Sequence, residues 1–208
     1  MADLEAEGGT SREELLQRMA LMESMIAEGR RTTGRYGWCF VLWGIVDLAG
    51  MGLQGSMPHA RWPWPVVIAA GFLLQALGVS RLRRIGIARG RTLQSRSIEA
   101  VWMTMGISVT LYAGAAGISH HAWQVAYIAG ILMMVGMAHA VSAIILRWPA
   151  QAAAAALWLG SGIAAYFVHG WTLFWLSVAD MFLGLVVFGV YVMVRERQRG
   201  RPAVIGHA

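Results

Sequence analysis

The sequence predicts an all-α integral membrane protein: six transmembrane helices as three hairpins, both termini cytoplasmic, with an amphipathic helix ahead of the first span. Three observations predict it. The 208 residues are 57% apolar and only 13% charged, with a mean hydropathy of +0.54, outside the range of an ordinary soluble domain. The apolar residues gather in six runs, each about as long as a bilayer crossing requires. Between the second and third runs, Arg81 to Arg96 reads RLRRIGIARGRTLQSR, six arginines and no acid. A loop this basic stays on the cytoplasmic side and sets the direction of every other segment.

In chain order, residues 1–10 form a disordered acidic tail (Asp3, Glu5, Glu7) without the basic-then-apolar pattern of a secretory signal. Ser11 and Glu14 make a capping-box pair, and Leu15, Met19, Met22 and Ile26 recur at helical spacing. They place one apolar stripe on a cytoplasmic amphipathic helix over 11–29, ending at Gly29. Its uses are to lie in the membrane interface, to dock on the bundle, or to pair with a second copy. Fewer than three heptads argue against the last.

The six-helix transmembrane domain covers 36–194, with spans at about 36–55, 64–79, 98–118, 122–146, 150–168 and 171–194. Trp62, Pro63, Trp64 and Pro65 make an outer turn at headgroup level. Residues 195–208 are a basic cytoplasmic tail. Sixteen arginines then fall inside and only Arg61 outside. A spacing shared by His121, Trp123 and Arg147 with His169, Trp171 and Arg195 hints at a repeated in-out-in hairpin. Two stripes of small residues, Gly106/Thr110/Gly114/Gly117 and Ala152/Ala156/Gly160, are expected to pack helices together.

Composition also excludes. All seventeen basic residues are arginine, so Schiff-base chemistry and a lysine general base are impossible. The basic residues sit at the ends of apolar runs rather than on a solvated face, so nucleic acid is not a partner. The lone Cys39 forms no intramolecular disulfide or cysteine zinc site. Neither a GxSxG elbow, an HxxxH pair nor an HExxH motif is present, and an enzyme is not expected.

Three constellations could carry chemistry. Asp47 and Asp180 lie at matching depth in the first and last spans. A carboxylate in hydrocarbon is expensive, so each is expected to be protonated, to line a wet cavity, to hold a cation, or to tie helices together through hydrogen bonds. His59, His120, His121 and His169 gather at the outer ends, where three imidazoles could take zinc or copper and two could ligate a haem, although no known spacing is matched. At the inner end, Glu99 complements a helix N-terminus and His139 lies within the fourth span. With the two aspartates at mid-depth and His121 or His169 at the outer mouth they would make a proton route.

Two functional readings compete, with a third behind them. A small permease or channel for protons, cations or a small solute predicts a polar cavity reaching Asp47 and Asp180. A non-catalytic accessory or regulatory protein of a bacterial-type inner membrane, binding a cytoplasmic protein partner through its N-terminal helix, predicts that those acids are sealed and the N-terminal stripe exposed. Outer-face metal or haem binding is the third. Besides the lipid bilayer, a homo-oligomer is an expected partner, and the sequence specifies no cofactor.

Overall fold

Pro, Gly and Arg punctuate the apolar runs, and the chain turns at those points. The computed structural model describes residues 2–57, 59–60, 62–84, 92–119 and 124–199, and all regular structure among them is helical. The helices are α1 (Ala2–Arg35), α2 (Gly37–Ser56), α3 (Pro63–Arg84), α4 (Leu93–Ser119), α5 (Gln124–Leu146), α6 (Pro149–Ala164), α7 (Trp171–Asp180) and α8 (Phe188–Arg199). A π-helical segment, Met181–Val187, joins the last two. Pro63 and Pro149 open their helices, where the missing N–H is harmless. Gly170 enters α7 at φ 58° and Arg147 leaves α5 at φ 47°. Only a glycine takes the first of these without strain.

Five helical stretches are long and apolar enough to cross a membrane: Arg12–Ser56, Pro63–Leu82, Leu93–Ala116, Val125–Leu146 and Trp171–Gln198. The fifth run expected to span, 150–168, differs. It forms α6, whose 16 residues reach only about 24 Å against a hydrocarbon core of about 30 Å. The chain unwinds into turns at Ala165, Tyr166 and Phe167.

The N-terminal helix also departs from expectation. It runs from Ala2 to Arg35, past both ends of the predicted 11–29, so the acidic stretch expected to be disordered is helical. Gly29 does not end the helix; it is a contact point, since a Cβ there would lie 2.6 Å from Leu146 Cδ2.

α2 and α8 run antiparallel with the inner faces of both glycine-rich. Gly44 meets Val186, Gly37 meets Val192 and Met193, and Gly34 of α1 meets Glu196. One register thus continues through the non-helical Tyr36 (φ −93°, ψ 6°), so the last turn of α1 prolongs the line of α2. α5 and α6 make the most extensive pairing. Gly136 sits against Leu159 and Gly162 against Met133, and by that register Ala164 is level with Ile131, about 10 Å short of the start of α5. The hydrophobic core lies among these elements, with Phe40, Leu132, Leu146, Trp158, Leu185 and Phe188 buried together.

Beside these aliphatic contacts, several aromatic rings lie on glycines of the neighbouring helix, an arrangement not foreseen. Trp38 covers Gly78, Trp43 covers Gly71, Trp64 covers Gly50, Tyr112 covers Gly130 and Trp158 covers Gly184. By contrast, Gly106, Gly114 and Gly160 have no neighbour within 4 Å, and Thr110, Ala152 and Ala156 are exposed. The described residues of both small-residue stripes therefore face away from the neighbouring helices.

Candidate functional site

Polar groups that the apolar runs carry inward meet in the core. Asp180 is 1% exposed. Its Oδ1 accepts a 2.9 Å hydrogen bond from Ser161 Oγ of α6, while its Oδ2 has no protein partner. It stands where the helix widens into the π segment, a rare geometry that recurs at functional sites. One turn along α6 from Ser161 is Trp158, whose indole lies on Gly184 of that segment.

Trp158 in turn stacks on His139 of α5, with ring centroids 6.4 Å apart and planes 15° from parallel. Three more rings complete a cage around this imidazole: Trp102 of α4 at 4.9 Å, Phe188 of α8 at 5.1 Å and Phe40 of α2 at 5.9 Å. Both His139 nitrogens lack a protein hydrogen-bond partner, as do Ser142 Oγ, both amide atoms of Gln151, and the indole nitrogens of Trp102, Trp148 and Trp158. Trp148 and Gln151 form the α5–α6 turn, where Gln151 N–H donates to Trp148 O at 3.0 Å. A buried polar column thus leads from Asp180 through Ser161, Trp158 and His139 toward Ser142, Gln151 and Trp148. Leaving such atoms unpaired costs about 1–3 kcal/mol each.

The structure brings Asp180 and His139 into this one column and leaves the other candidates outside it. Asp47 is half-buried on α2, away from this column. Among the described residues no hydrogen bond joins Asp47 to Asp180. Glu99 is half-buried on α4, one turn before Trp102. His59 and His169 are exposed, while His120 and His121 lie outside the described residues. Among the described residues no three His, Cys, Asp or Glu side chains come together as a metal-binding group. An open depression of about 410 Å³ lies between the ends of α2 and α7 farthest from Arg147, lined by Met51, Gly52, Gly55, Gly170, Trp171 and Phe174, with neither aspartate in its wall.

A second feature was only half visible in the sequence. Arg30 donates to Leu146 O at 2.8 Å and to Arg147 O at 2.6 Å, capping carbonyls that the end of α5 leaves open. Gln94 donates to Ile145 O at 2.9 Å beside it. Arg30 thereby ties the root of α1 to the end of α5, while Gly29 rests beside Gln94 of α4 and Gly34 on Glu196 of α8. Beyond it α1 projects freely: Leu15, Met19 and Met22 are 57%, 54% and 57% exposed. At 100° per residue these three share a side with Ile26 and Gly29, and Gly29 is the residue pressed on Leu146. The exposed stripe is the bundle-facing side of α1 continued past the end of the bundle, an overhang above the arginine-rich end.

Sequence reading missed Arg30, Ser142, Gln151, Trp148 and Ser161. Polar residues within apolar runs were a usable signal for Ser142, Gln151 and Ser161. Nothing local marks Arg30, whose acceptors lie more than a hundred positions away. No family model, curated protein or solved structure matches this chain.

Proposed function

We propose that this chain is a non-catalytic accessory or regulatory protein of a bacterial-type inner membrane, which presents the overhang of α1 to a protein partner. The observation that carries the reading is the pairing of a rooted helix with an exposed apolar side: Arg30 and Gly29 fix the direction of α1, and Leu15, Met19 and Met22 are left uncovered. Solvent-exposed apolar stripes of this kind mark interaction sites. Asp180 is sealed by packing and bonded to Ser161, which supports the same reading over an open transport pathway. In this reading the arginine end is cytoplasmic. Six crossings, with α6 and the link after it completing the fifth, put both termini there.

The test uses cysteine reactivity in a Cys39→Ser background. Met19→Cys should react slowly in native membranes and several-fold faster once the protein is purified in detergent. Gln17→Cys, on the opposite side of α1, should react alike in both. Equal rates for Met19→Cys would sink the reading.

A second reading, proton handling, is favoured by the unpaired atoms along the Asp180–His139 column. Buried polar atoms in such number ordinarily hold internal water, and hydrated acids and imidazoles relay protons. Glu99, at the arginine end of α4, would be its inner mouth and Asp47 a parallel site. Proteoliposomes with Asp47→Asn and Asp180→Asn should then lose proton flux that the unsubstituted chain shows. Flux that is equal in both, or absent from both, rejects this second reading.

A further inference from the structure

Where the last turn of α1 leads into α2, the groove between α2 and α3 opens between arginines. The two helices run antiparallel in a register set by rings on glycines: Trp64 lies on Gly50, Trp43 on Gly71 and Trp38 on Gly78. Trp43 Nε1 also donates to Gln75 Oε1 at 2.5 Å. Trp38 and Gly78 make the contact nearest the arginine end. Three positions beyond it stand Arg35 on one side and Arg81 on the other, each about 4.5 Å past the indole along the helix direction. The two are therefore level. We propose that Arg35 and Arg81 together bind the phosphate of an anionic phospholipid, whose headgroup sits at this end of the α2–α3 groove beside the Trp38 ring.

Direction and charge support that ligand. Leu74 and Leu77 lie seven and four positions before Arg81 on one side of α3, and they are 51% and 57% exposed. Ile45, seven positions after Trp38 on α2, is 55% exposed. This side of the pair faces lipid, so an acyl chain can lie along the three apolar residues while its headgroup meets the guanidiniums. A tryptophan ring at headgroup level suits the same boundary. Arg31 and Arg84, about one turn further out, are exposed as well and add positive potential. No acid occurs from Arg81 to Arg96, and among the described residues Arg81 has no ion pair. Arg35 reaches Glu28 only at 3.8 Å, with both side chains partly exposed, a pair too weak to withhold the guanidinium from a phosphate. Basic recesses between helices at the membrane surface recognise anionic headgroups in this way. A soluble phosphate could reach the same guanidiniums, but it would gain nothing from the apolar flank below them.

The test is native mass spectrometry of the full chain in detergent, which counts bound lipid as phosphatidylglycerol or phosphatidylcholine is titrated in. Phosphatidylglycerol should bind at least about ten-fold tighter than phosphatidylcholine, and excess inorganic phosphate should not displace it. Arg35→Gln with Arg81→Gln should weaken phosphatidylglycerol about ten-fold, to near the level of phosphatidylcholine. Arg12→Gln with Arg197→Gln removes the same charge from exposed positions away from the groove and should leave the affinity within about two-fold.

Equal affinity for the two lipids, displacement by inorganic phosphate, or full retention of phosphatidylglycerol by the Arg35/Arg81 double variant overturns the proposal. So does an equal loss in both double variants, which would mean that the lipid reads overall charge and no particular site. Should the first double variant fail to fold, Arg81→Gln alone decides: it removes an exposed side chain, and unchanged affinity in it rejects the site.

Discussion

At the scale of single residues, the two buried ionisable side chains of the core solve opposite problems. Asp180 has one oxygen satisfied by Ser161 and one unpaired. His139 has neither nitrogen satisfied, but four rings enclose it. An imidazole held that way contributes by shape and dispersion while forfeiting its hydrogen bonds. If the column is dry, as a sealed accessory bundle requires, His139→Phe keeps a ring in the cage and removes two unpaired nitrogens. It should then stabilise by about 1 kcal/mol, read as a melting temperature raised by a few degrees in detergent. A clear fall in melting temperature would show that water or a ligand satisfies the imidazole, and would favour proton handling. Sequence alone placed His139 and Asp180 within apolar runs, and both lie in helices long and apolar enough to cross a membrane. It could not bring them together, because Trp158 and Ser161, the groups between them, come from a helix whose register on α5 depends on Gly136 and Gly162.

At the scale of helices, the packing is governed by where glycines stand beneath large side chains. Small residues facing small residues are the common solution in lipid, yet the described residues of the expected stripes on α4 and α6 face outward. The abundance of glycine and tryptophan in the sequence was a usable signal for some of the true contacts, as at Gly50, Gly78 and Gly184, whereas Gly136 and Gly162 take Leu159 and Met133. Two substitutions separate the rules. In Gly136→Val, the first added carbon already lies 2.8 Å from Leu159 Cγ and 3.0 Å from its backbone nitrogen, so α5 and α6 must part. Overpacking of this kind costs about 1–3 kcal/mol. Gly106→Val meets nothing within 4 Å and should leave the melting temperature within a degree or two. If Gly106→Val proves as damaging as Gly136→Val, the outward stripe is covered in the membrane and the assembly is larger than one chain.

At the scale of the whole molecule, the membrane character of the chain was legible from composition. Five of the six expected spans have helices long and apolar enough for the purpose, and the departures fall at the ends of the chain order and at α6. The rule that one-sided arginines fix orientation acts on loops rather than on helix lengths, so it could not show that α6 would stop after 16 residues. The contact of Gly34 with Glu196 and the antiparallel run of α2 against α8 put the root of α1 and the end of α8 at one end of the bundle, an arrangement that calls for a crossing at α6. The link Ala165–Gly170 adds six residues, and even a partly extended chain of that length covers the missing ~6 Å of hydrocarbon. A crossing is therefore sterically open, and the single arginine before α6 favours it. In a Cys39→Ser background, His169→Cys should be labelled by an impermeant maleimide from the outer side of intact cells. Pro149→Cys and Arg197→Cys, at the two ends of the α6–α8 stretch, should react only after permeabilisation. If Pro149→Cys and His169→Cys respond alike, α6 re-enters without crossing. The number of crossings then becomes odd and the overhang of α1 faces away from the side that holds the C-terminal arginines. The contact of Gly34 with Glu196 requires the opposite, since it puts both at one end of the bundle.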